Sequence, residues 1–181
     1  MGLLDTILAA GGGGAVGQLA RQFGLDESQA QSAVSALLPA ISQGFQKNAS
    51  SEDGLNSLLG ALDGGGHSKY LDDVSTLESE ETTQDGNGIL GHIFGSKDVS
   101  RAVASQASLQ TGIGSDILKQ MLPVVAAMAM GSLAKGHQSS LQAGAGGGGG
   151  LLDMLASGLD ANQNGSALDD IIGMASKFLR K

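Results

Sequence analysis

Oxygen-bearing side chains alternate through Asp160-Ala161-Asn162-Gln163-Asn164-Gly165-Ser166, and two more carboxylates follow at Asp169 and Asp170. A glycine at the sixth place permits the sharp turn of a calcium loop, and carboxylate and amide oxygens are the ligands that hard cation prefers. Asp160, Asn162, Asn164 and Asp169 are therefore the candidate metal ligands. Two departures weaken the site. The twelfth place, where such a loop carries a bidentate glutamate, is Ile171, and the third and fifth places are neutral asparagines. Calcium is expected to bind weakly if at all, and the loop to act first as a turn in which Ser166 caps the helix that follows.

The remaining motifs carry less chemistry. Gly86, Gly88 and Gly91 spell G-x-G-x-x-G, but a dinucleotide cradle needs a strand before it and a helix after it, and here an acidic stretch precedes it. His67, His92 and His137 stand apart, with no paired spacing for a metal and no adjacent acid to orient them. No serine sits in G-x-S-x-G, and the absence of cysteine removes thiolate chemistry and disulfides while leaving the redox compartment open. No catalytic or cofactor-binding residue is assigned, and the chain is expected not to be an enzyme.

The elements that would position these groups are helices. The longest apolar run, residues 115–135, holds Ile117, Leu118, Met121, Leu122 and Val125 on one face and becomes apolar all round from Val124 to Met130. Its uncharged part, about 14 residues, is shorter than the roughly 20 of a bilayer span, so it is expected to be a buried core helix without stable membrane insertion. A second stripe, Ala30, Ala33, Val34, Leu37, Leu38, Ile41 and Phe45, follows Asp26 and Gln29, which read as a capping box. Gly24 and Gly112 each sit where a helix should stop, Ser51 and Asp98 where one should start. Pro39 and Pro123 lie inside apolar stripes, after Leu37-Leu38 and Met121-Leu122, and are expected to kink their helices.

These landmarks suggest two degenerate halves. In each, a helix and its glycine stop lead to a capped, proline-kinked core helix, the second copy being shorter by about one turn. The expected organisation is a first helical half over 1–66, a solvated acidic connector over 67–88, a second half over 89–138, a glycine-rich linker over 139–150 and a loop-helix tail over 151–181. Residues 69–88 carry six acids against one lysine, and the chain as a whole has a formal charge of −8. With no basic stripe, nucleic acid is not an expected partner. The first ten residues contain Asp5 and no basic residue, so they read as a short helix rather than a secretory signal, and the protein is expected in the cytoplasm. Glycine supplies 30 of 181 residues, more than twice the usual share of about 7%. The tail stripe ends in Ile171, Ile172, Phe178 and Leu179, the candidate partner-binding residues, for a protein partner or a second copy of the chain.

Together, Leu37-Leu38-Pro39 and Met121-Leu122-Pro123, the run Ile89-Leu90-Gly91-His92-Ile93-Phe94-Gly95, the start Met1-Gly2-Leu3-Leu4-Asp5 and the loop from Asp160 to Asp170 resemble the bacterial YidB-like family of unknown function. The resemblance covers most of the chain. It implies an all-helical fold in a bacterial protein without a defined activity, and it transfers no catalytic residue. Asn162 and Asn164 depart from the more acidic loop of that family.

The fold expected is thus all-α, a compact helical domain with a tethered helical tail. The function expected is a non-enzymatic interaction or scaffold module, with a weak calcium-responsive tail as the alternative and an enzyme of unknown class as a further one. A concave pocket with convergent polar groups would favour the enzyme.

Overall fold

The computed structural model describes residues 3–64 and 66–142. The candidate calcium ligands Asp160, Asn162, Asn164 and Asp169, the tail residues Ile171, Ile172, Phe178 and Leu179, and the tethered tail itself lie outside the described residues. Among the described residues eight α-helices run in the order α1 (Leu3–Ala9), α2 (Gly14–Phe23), α3 (Glu27–Ala49), α4 (Glu52–Gly64), α5 (Lys69–Asp72), α6 (Glu80–Phe94), α7 (Lys97–Thr111) and α8 (Ser115–Gln142), with 3₁₀ turns at Ala10–Gly13 and Val74–Glu78. Among the described residues there is no strand, and the fold is all-α.

The apolar run of the sequence is the axis of this fold. Every residue of α8 from Met121 to Ala134 is buried, and α6, α7 and α3 cover most of its length, with α1, α4 and α5 closing the remainder. Over Ser115–Gln138 the helix is long and apolar enough to cross a bilayer, yet 83% of its most apolar window is buried within the chain's own fold. The helix outruns the apolar run of 115–135, passing Lys135 and Gly136 and continuing to Gln142. Glycine inside a helix costs only about 1 kcal/mol, too little by itself to end one.

Local signals place the other helices. Asp26 accepts from the Gln29 amide at 2.8 Å while Gln29 Oε1 accepts from the Asp26 amide at 3.1 Å, completing the capping box of α3. Gly24, at φ 66, and Gly112, at φ 73, close α2 and α7 in the left-handed region, where a side chain would be strained. Pro39 lies inside α3 and Pro123 inside α8. The cap of α7 is Ser96 rather than Asp98. Gly95 ends α6 so late that one residue remains to turn the chain, and Ser96 Oγ accepts from the Val99 amide at 3.4 Å. Asp98 instead occupies the first turn and pairs with Arg101 at 2.8 Å.

The acidic stretch 67–88 does not run as a solvated connector. Tyr70, Leu71 and Leu77 are buried, while Asp72, Asp73, Glu78, Glu80 and Glu81 are exposed. Ser79 accepts from the Thr82 amide at 3.2 Å and so opens α6, whose first turn holds Glu80 and Glu81, where negative charge favours the positive end of the helix dipole. The buried Thr82 hydroxyl donates to the Thr76 carbonyl and ties the 3₁₀ turn to α6. Gln18 donates to Glu78 from α2 across the same joint.

Candidate functional site

A cavity of about 270 Å³ opens between α3, α4, α6 and α8, with the chain before α5 across one end. Its wall is mainly apolar, from Phe45, Leu58, Ala61, Ile89, Ile93 and Met130. Into it face the polar residues Asn48, Ser57, His67, Gln84, Asp85 and His92. Helical geometry explains the convergence from α6, because Asp85, Gly88, Ile89 and His92 stand at i, i+3, i+4 and i+7 and share one face.

His67 is held in place through its backbone. Its carbonyl accepts from the Tyr70 amide at 3.2 Å, and a β-carbon on Gly131 of α8 would come within 2.6 Å of that same oxygen. Only a residue without a side chain lets α8 approach so closely. The His67 ring lies 5.9 Å from the Tyr70 ring, and its Nδ1 is buried without a hydrogen-bond partner. Tyr70, fully buried, donates its phenolic proton to Asp85 Oδ2, and the Lys69 ammonium stands 5.1 Å from the centre of the Tyr70 ring. Lys69 also pairs with Glu81 at 2.8 Å, which raises its pKa. On the opposite wall, Asn48 donates to the His92 carbonyl at 2.9 Å, fixing the end of α3 to α6.

These contacts set the protonation of the site. Burial lowers the His67 pKa, with Lys69 acting in the same direction and Asp85 opposing, so the ring is neutral at neutral pH. Burial, and then the hydrogen bond to Asp85, raises the Tyr70 pKa, so the phenol keeps its proton. Among the described residues His67 Nδ1 makes no hydrogen bond, and Tyr70 is held as a donor to Asp85. Among the described residues no three His, Cys, Asp or Glu side chains gather as a metal site. The arrangement can bind an apolar body and hydrogen-bond its polar end.

The His67 shift has a consequence for stability. Its folded pKa lies below the unfolded value of about 6.5, so as pH falls through that value the unfolded chain takes up a proton that the folded chain resists. Stability is therefore kept above about pH 6.5 and declines below it. In His67→Asn the fall of Tm between about pH 7 and pH 5 should flatten when followed by circular dichroism. Asp26 and Asp73, held below the usual carboxylate range by hydrogen bonds from Ser28 and Ser75, act in a separate window below about pH 4. An unchanged slope in His67→Asn would assign the titration to another group.

The structure brings together two of the histidines that the sequence leaves isolated. His67 and His92 line one cavity, with Asp85 beside them, although 67 and 92 are far apart in the chain. The available signal was the i, i+3, i+4, i+7 pattern of Asp85, Gly88, Ile89 and His92, hidden by reading residues up to 88 as a connector. The G-x-G-x-x-G glycines lie inside α6, where main-chain amides serve the helix and cannot cradle a phosphate.

No curated protein and no solved structure matches the chain. A family model does match, over residues 5–136, which takes in α8 to its Gly136 and every residue lining the cavity. The chain therefore belongs to the family described as bacterial protein of unknown function (DUF937).

Proposed function

We propose that the protein is a non-enzymatic helical binding module whose cavity between α3, α4, α6 and α8 takes a small organic molecule with an apolar body and one O–H or N–H donor. The observation that carries this reading is the pairing of an apolar wall with the Asp85 carboxylate, an acceptor that Tyr70 occupies at one oxygen, Oδ2. A mostly apolar cleft with a few placed polar groups is the usual form of a small-ligand site. The interaction role expected from the sequence is kept here as binding without chemistry, with Tyr70 held as a donor to Asp85.

The test fills the cavity without disturbing the core. A β-carbon on Gly88 would meet nothing within 4 Å, and Gly88 stands at the cavity wall. Gly88→Leu therefore places a side chain in the space and also replaces a helix-interior glycine, a change worth up to about 1 kcal/mol in favour of the helix. With 2-naphthol as the probe, followed by its fluorescence and by protein NMR shifts, wild type should bind and Gly88→Leu should lose at least about tenfold in affinity, the equivalent of roughly 1.4 kcal/mol. 2-Methoxynaphthalene, which lacks the donor, should bind more weakly than 2-naphthol. Equal 2-naphthol affinity in wild type and Gly88→Leu, or no binding to wild type, overturns the proposal.

A further inference from the structure

On another face, α2, α6, α7 and α8 enclose a second groove of about 460 Å³. Its floor is apolar, from Phe23, Leu90, Leu122 and Pro123, and its rim carries Lys97, Arg101 and Lys119. Among the described residues no aspartate or glutamate lines it, in a chain whose formal charge is −8. We propose that this groove binds a small organic anion, an apolar body bearing one carboxylate.

Three features of the groove select that chemistry. The cations are only loosely committed elsewhere. Arg101 pairs with Asp98 at 2.8 Å and Lys119 with Asp116 at 3.5 Å, each one turn back on its own helix. Those acids are 86% and 89% exposed and stand outside the groove, so solvent screens both pairs. Lys97 and Arg101 are one turn apart on α7 and Lys119 comes from α8, so the positive charge converges from two helices over one apolar floor. Such a floor rewards an apolar body, and it also lowers the local dielectric, which strengthens attraction between the rim and an anion. Finally, Gln22 lines the groove with its Oε1 buried and without a hydrogen-bond partner. A buried acceptor left unpaired is costly, and a hydroxyl on the ligand would satisfy it. The groove is separate from the cavity of the preceding proposal and does not depend on it.

The probe is 6-hydroxy-2-naphthoate, which combines the apolar body, the carboxylate and a hydroxyl; 2-naphthol is the uncharged comparison. Titration calorimetry on the full chain should show one naphthoate site whose affinity falls as salt rises, because Asp85 in the other cavity repels the carboxylate there. The triple variant Lys97→Gln/Arg101→Gln/Lys119→Gln should weaken it at least about tenfold and leave 2-naphthol binding unchanged. The Arg101 and Lys119 side chains are 65% and 52% exposed, so the variant is expected to fold, as its melting curve will report. Gly88→Leu, which fills the other cavity, should leave naphthoate affinity unchanged. Naphthoate binding that survives the triple substitution, or that is lost in Gly88→Leu, overturns the assignment of the anion to this groove, as does failure of wild type to bind it.

Discussion

Gly86→Ala should destabilise the protein by about 3 kcal/mol, at the upper end of what overpacking a tight interior costs. Gly86 is buried on α6, where it crosses α8, and a β-carbon there would overlap main-chain atoms of Pro123. Main chain has no rotamer to change, so the two helices must separate, and α6 is the most extensive neighbour of the core helix. Against this, alanine gains up to about 1 kcal/mol of helix propensity over glycine. The steric term is the larger, because separation exposes apolar contacts along both helices. Gly91, five residues on in the same helix, provides the contrast. Its β-carbon would meet nothing within 4 Å, so Gly91→Ala should show the propensity gain alone and raise stability by about 0.5–1 kcal/mol. Urea unfolding of the three proteins measures both effects, and equal stability of Gly86→Ala and wild type would mean that α6 does not cross α8 at Pro123.

The same two glycines show what the sequence conceals. Three glycines within α6 depress its helix propensity, and its first turn is acidic, so composition reads the segment as a connector. What makes it a helix is the Ser79 cap, the favourable placement of Glu80 and Glu81 on the dipole, and the packing of α6 along α8, with Ile89, Leu90 and Ile93 buried in the core. Only the last of these is tertiary, yet it is the one that requires glycine at 86, and its partner lies far along the chain. By contrast, the start and the buried stripe of α3 were legible. Its capping box is local, its stripe from Ala30 to Phe45 has no gap, and both signals survive without knowledge of neighbours.

For the candidate sites the position reverses. Asp160, Asn162, Asn164 and Asp169 attract attention because they are close in sequence, and all four fall outside the described residues. His67, Asp85 and His92 share a cavity because α6 delivers two of them from one face while Gly131 lets the chain at His67 close against α8. Nothing in the local pattern around His67 encodes that approach. A residue gap of this length can be bridged only by the packing of helices, which a single sequence does not state. The basic groove was hidden for a related reason, since Lys97, Arg101 and Lys119 are dispersed among acids along the chain and come together only when α7 lies beside α8.

The polar joint beneath the cavity should be the next most sensitive feature. Tyr70→Phe removes the hydrogen bond to Asp85 and leaves the buried ring in place, at an expected cost of about 2 kcal/mol, within the range for hydrogen bonds to charged groups. For a chain of this length that corresponds to a Tm lower by about 4–8 °C. The linkage to pH follows from the raised Tyr70 pKa, caused first by burial and then by Asp85. Folding favours the protonated phenol, so this contribution is complete below the unfolded value of about 10 and is lost as pH rises beyond it. The protein has one tyrosine and no tryptophan, so phenolate absorbance reports Tyr70 alone. It should stay silent where free tyrosine ionises and then appear together with loss of helical circular dichroism. Asp85→Asn separates the two causes, since an amide oxygen can still accept from the phenol while the negative charge is gone; its tyrosine should ionise at lower pH than in wild type but higher than in the unfolded chain. A Tyr70 that titrates near pH 10 in the folded wild-type protein would show that the phenol is open to solvent and that the Tyr70–Asp85 contact does not hold α5 against α6.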